Sequence, residues 1–158
     1  MKKLIILFSL LALFGCKTKV HVVENTKETI KVSKLAIDDV EKAKKDMAFS
    51  AGNRILTACN TSKFKPFNEN EATPTVIQNT TQKRLTKTCL KFRLKYGDFK
   101  ELKLIEVFKD RTDKTTVFRF KALYEKKIAN KELRVSIDKD DKVSAIKSFD
   151  WKDSYTID

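Results

Sequence analysis

The spacing of apolar residues changes at Gly97, and this change constrains the fold more than any other feature of the chain. Before Gly97 apolar residues recur every three or four positions, the period of a helix with one buried face; after it they alternate, the period of a strand. From about Ile37 to Asn60, Val40, Ala43, Met47, Ala51, Ile55 and Cys59 mark one helical face, and Asp38 and Asp39 suit the positive end of the helix dipole. Residues 61–72 read as a loop, with Phe64 and Phe67 folding back on the core. Thr73-Pro74 has the form of an N-cap followed by proline at the first helical position. A second helix is expected from there to about Tyr96, with Ile77, Leu85, Cys89, Phe92 and Tyr96 inward and Gly97 as terminator. Its other side carries Lys83, Lys87, Lys91 and Lys95, a stripe that suits an anionic surface or simply a solvated face.

Beyond Gly97 four β-rich runs are expected, at about 99–109, 115–126, 131–138 and 142–151. The breaks between them, at 110–113, 129–130 and 138–141, are short and rich in Asp and Asn, which implies an antiparallel meander. Phe118, Phe120, Ala122 and Tyr124 point one way while Arg119 and Lys121 point the other, so one face is expected to be packed and the other wet. Helices and strands are segregated along the chain. The predicted class is therefore α+β, with two helices packed on one face of a four-stranded antiparallel meander.

The first residues obey different rules. Met1-Lys2-Lys3 is followed by an apolar run from Leu4 to Phe14, too short to stay in a bilayer as a span and the right size for a signal-peptide core. Leu13-Phe14-Gly15-Cys16 closes the run and resembles the bacterial lipobox. Phe14 is bulkier than the usual occupant of its position. The resemblance implies cleavage before Cys16, attachment of a diacylglycerol to the Cys16 sulfur, and lasting attachment to a membrane through the acyl chains. The division that follows is a lipoprotein signal peptide at 1–15, a lipidated tether at 16–37 and an α+β domain at 38–158. Val20, Val22 and Val23 could alternatively form a short edge strand within the tether. The resemblance also implies a location in the cell envelope, with the domain facing the periplasm or the exterior. Lys17, Thr18 and Lys19 lack the aspartate that retains enterobacterial lipoproteins on the inner membrane, which favours the outer membrane.

Removing residues 1–15 takes away two lysines and lowers the formal charge from +13 to +11. Such a balance suits anionic partners or simply a soluble, lysine-rich surface. Nucleic acid is set aside, because arginine supplies only six of the 34 basic residues and the lipid places the domain outside the cytoplasm. Cys59 and Cys89 remain as a pair in a compartment that tolerates disulfides. Either they staple the two helices, or they are two small buried residues that never meet.

The junction Tyr96-Gly97-Asp98-Phe99 and the late turn Asp140-Asp141-Lys142 before the last strand resemble small secreted NTF2-like or cystatin-like domains over about 38–151. Aspartate stands at 141 where glycine is common. That resemblance implies a curved sheet wrapped on helices, often with a cavity at its wide end, and a homodimer through the sheet. It implies no reaction, because such folds host many functions.

Chemistry-bearing motifs are sparse. The single histidine, His21, falls in the tether, and Gly52 and Gly97 sit in no phosphate-cradling loop. Metal-ligand spacings and a nucleophile elbow are both lacking, so neither metal nor cofactor is expected and the chain is read as non-catalytic. The leading expectation is an envelope lipoprotein that binds a small apolar ligand or a protein partner, with Phe99, Phe118, Phe120, Tyr124 and Trp151 lining a pocket. The alternative is a structural or surface-interaction lipoprotein whose basic face meets anionic envelope polymers or membrane.

Overall fold

A computed structural model of the chain describes residues 31–126 and 130–157. Among the described residues the chain runs β1 (Val32–Leu35), a short 3-10 turn (Ile37–Asp39), α1 (Lys42–Thr61), α2 (Pro74–Asn79), α3 (Gln82–Tyr96), β2 (Phe99–Asp110), β3 (Thr115–Tyr124), β4 (Lys131–Ile137) and β5 (Val143–Asp150). The strands form one antiparallel sheet in the order β1-β2-β3-β4-β5. Cys16, His21 and the valines at 20, 22 and 23 lie outside the described residues.

The expected four-stranded meander with two helices is corrected on both counts, although the class remains α+β. The extra strand is β1, in a segment read as tether, which pairs Leu35 with Val107 and Val32 with Asp110 at the far end of β2. The extra helix arises because the chain breaks after Asn79. Thr80 is buried and its hydroxyl donates to the Val76 carbonyl (2.7 Å), while the Thr81 side chain accepts from the Arg84 amide and starts α3. Thr and Asn offer the backbone such local bonds and are poor in helix interiors, so three in a row divide the segment.

The core lies between α1 and one face of the sheet. Ala48, Ala51, Gly52, Ile55 and Leu56 of α1 are buried against residues from β2 to β5, whereas Ala43 is exposed. Gly52 permits the close approach: a Cβ there would fall 2.8 Å from Leu133 Cδ2 and 3.0 Å from Leu102 Cδ2. Phe118, Phe120, Val135 and Val107 form the floor, all completely buried. Burying each such side chain contributes about 1.5–3 kcal/mol.

Side chains also lock the joints. Asn60, at the end of α1, donates to the Phe99 carbonyl (2.8 Å) and accepts from the Phe99 amide (2.9 Å), which sets where β2 begins. Gly97 closes α3 with φ +76°, a conformation that favours glycine. The loop between α1 and α2 is pinned by Phe67 in the core and by backbone bonds from Val143 to Glu71 and from Thr73 to Val143 (both 3.0 Å).

Candidate functional site

The five aromatic residues expected to line one pocket are divided between the two faces of the sheet. Phe118, Phe120, Phe99 and Tyr124 are buried on the helix side. Tyr124 packs with Phe99, Phe92 and Tyr96 at centroid distances of 5.9, 6.1 and 5.8 Å. Burial, with a smaller contribution from Tyr96, pushes the Tyr124 hydroxyl up to about 12. The small side chains of α1 bring that helix down onto this row, which serves as packing.

Trp151 belongs to the other face. Its ring covers Arg119, whose guanidinium carbon lies 4.2 Å from the ring centre. The face expected to be wet is covered at this point, and Arg119 has 0% exposure. Residues 151–157 fold back across the sheet, with Tyr155 stacked on Phe108 at 4.0 Å and the Arg134 guanidinium 4.4 Å from the Tyr155 ring. Carbonyls of the same segment accept from arginine: Lys152 from Arg119, and Thr156 from Arg134 at 2.8 Å.

Beneath this strap runs a chain of alternating charges. Lys34 pairs with Glu106 (2.7 Å), Glu106 with Arg119, Arg119 with Glu132 (2.7 Å from Nε), and Glu132 with Arg134. Burial pushes the Glu106 carboxyl up, but the bonds from Lys34 and Arg119 outweigh it and hold the group below the ordinary carboxylate range. Burial likewise opposes the Arg119 charge, yet Glu132 and Glu106 raise its affinity for the proton. Each of these charges is matched to an opposite one. The ladder is therefore a polar network, exposed at Lys34 and buried at Arg119 and Glu132, that holds strands and strap together rather than a set of free acids and bases. An open cleft of about 340 Å³ beside it is lined by Asp110, Asp138, Arg134, Lys147 and Tyr155 among others. Among the described residues no group of three His, Cys, Asp or Glu is placed to hold a metal.

Opposite-charge pairing across strands depends on register, which the amino-acid pattern does not disclose, and sequence reasoning missed the ladder for that reason. One signal was present in the tail itself. Trp151, Tyr155 and Ile157 follow the last strand and need a surface to cover.

The outward surface of α3 has a different character. Leu85, Cys89, Phe92 and Tyr96 face the domain, and a disulfide joins Cys89 to Cys59 of α1. The helix carries Lys83, Arg84, Lys87, Lys91, Arg93 and Lys95 and no acidic residue. Arg93 pairs with Asp98 (3.1 Å), but among the described residues no carboxylate pairs with Lys83, Lys87 or Lys91. Two apolar side chains share the exposed side, Leu90 at 61% and Leu94 at 72% exposure. Among the described residues no helix is long and apolar enough to cross a membrane.

No protein-family model, curated protein or solved structure matches the chain. Its candidate site is accordingly defined by its own geometry, and the α3 surface is where uncompensated charge and exposed apolar area coincide.

Proposed function

We propose that the protein is a lipid-anchored, non-catalytic protein of the cell envelope whose domain acts by surface contact, with the basic side of α3 meeting anionic envelope material. The anchoring part rests on the lipobox-like Leu13-Phe14-Gly15-Cys16 at the end of a short apolar run. The observation that carries the contact part is the α3 surface, where Lys83, Lys87 and Lys91 stand without acidic partners among the described residues. A disulfide and a buried aromatic cluster hold that helix in place, so its charges are presented on a rigid support. Enclosure of a small apolar ligand is less well supported, because Phe99, Phe118, Phe120 and Tyr124 are packed in the core and Trp151 covers Arg119.

Lysine footprinting of the full chain in isolated cell envelopes tests this reading. At low salt Lys83, Lys87 and Lys91 should label more slowly than Lys100, an exposed lysine on β2. At about 1 M salt, where the screening length falls to about 3 Å, the difference should vanish. Equal labelling of all four at both salt concentrations contradicts the contact.

A further inference from the structure

We infer that the outer side of α3 docks on an anionic lipid bilayer, with Leu90 and Leu94 entering the headgroup boundary and Lys83, Lys87 and Lys91 meeting lipid phosphates. This deepens the reading above and rests on its anionic contact.

At 100° per residue, Lys83, Lys87, Leu90, Lys91 and Leu94 fall within an arc of about 100°, centred opposite Leu85, Cys89, Phe92 and Tyr96. The two leucines are therefore interleaved with the lysines rather than set on the flank of the inward face. A soluble polyanion would satisfy the lysines alone and leave Leu90 and Leu94 in water. A bilayer surface offers phosphates to the ammonium groups and hydrocarbon to the leucines in the same few ångströms of depth. Lysine stems lie along apolar material while their heads stay hydrated, so the three lysines do not oppose shallow entry of the leucines. Lys126 extends the basic rim, its Nζ donating to the Leu94 carbonyl (3.1 Å).

Fourteen residues lie between Cys16 and Lys31, a reach of at most about 50 Å. α3 spans 15 residues, about 22 Å, enough to lay three lysines and both leucines along one plane.

The test uses the full chain with Leu94→Trp, reconstituted into vesicles of phosphatidylcholine alone or rich in phosphatidylglycerol, with brominated acyl chains as quencher. The substitution sits at an exposed position and leaves the core intact, and the unsubstituted chain supplies the Trp151 background. Bromolipid quenching of the introduced indole in anionic vesicles, absent in neutral ones, is the expected result. Adding K83E, K87E and K91E should lower the ratio of docked to undocked protein more than about tenfold. An indole that stays open to aqueous acrylamide in both vesicle types overturns the proposal. So does protection by soluble polyglutamate without bromolipid quenching, which would assign the surface to a polymer or an acidic protein. Flotation with neutral vesicles reports the Cys16 anchor separately. A chain that fails to float with them refutes anchoring, while quenching in anionic vesicles still decides docking.

Discussion

The guanidinium carbon of Arg119 lies 4.2 Å from the centre of the Trp151 ring, and Arg119 is completely buried. This contact joins the end of the sheet to its middle, because Arg119 also holds Glu106 and Glu132. Truncating Trp151 to alanine removes a desolvated cation–π contact and hydrates the ladder, at a cost of about 2–3 kcal/mol. Arg119→Ala is expected to cost more, about 3–5 kcal/mol, since it leaves Glu132 buried at 1% exposure with one partner fewer. Urea unfolding of both variants reads the difference, and equal stabilities would remove the ladder from the account.

A second ion pair makes stability depend on acid. The fork of Arg54 donates to both oxygens of Glu71 (2.7 and 3.1 Å), and the Asn68 amide adds a third bond. Chiefly through Arg54, and against a smaller effect of burial, the Glu71 carboxyl is held at about 2 instead of 4.5. The folded state thus prefers the ionised form more than the unfolded chain does. The resulting stability is fully present above pH 4.5 and is lost as pH falls toward 2. After allowance for solvent screening at a partly exposed carboxylate, it amounts to about 1–2 kcal/mol. Glu71→Gln should lower the melting temperature at neutral pH and flatten its decline between pH 4.5 and 2. A variant whose decline matches the parent's would refute the assignment.

The Cys59–Cys89 disulfide closes a loop with a sequence separation of 30 residues. Loop-closure entropy of that length corresponds to about 3–4 kcal/mol. Thermal unfolding with and without reductant, and of C59A/C89A, should show losses of this size. Since α3 is attached to α1 through this bond, hydrogen exchange in α3 should accelerate more than in β3.

Gly52 supports the contact of α1 with the sheet. Gly52→Val should cost about 2–3 kcal/mol by pushing α1 away from Leu133 and Leu102. Gly52→Ala should cost less, since better helix propensity returns about 1 kcal/mol. Denaturation midpoints rank the three proteins, and the order glycine, alanine, valine is expected.

Elements long enough to repeat their period were legible in the sequence. Ile55 and Cys59 of α1, the alternation of Phe118, Phe120 and Ala122, and Gly97 at the end of α3 all follow from spacing. β1 was not, because Val32–Leu35 offers a single alternation and its partner lies over seventy residues away. The run Asn79-Thr80-Thr81 did carry a signal for the helix break, in weak helix formers with capping side chains. The aromatic row shows how far alternation goes: it tells which side of β3 is packed, but not how close the covering helix lies. That distance is set by Ala48, Ala51 and Gly52 on α1, and it leaves the row as core. Leu90 and Leu94 were visible as an apolar pair four apart and out of phase with the inward face. Their exposure gives the lysine stripe an apolar component.

Native mass spectrometry of the protein extracted from membranes decides whether a closed core sits on a lipid anchor. Expected is the mass of residues 16–158 plus covalent lipid mapping to Cys16, with no additional mass that departs on denaturation. An unmodified Cys16 would contradict the anchor, and a small molecule released on denaturation would contradict the closed core.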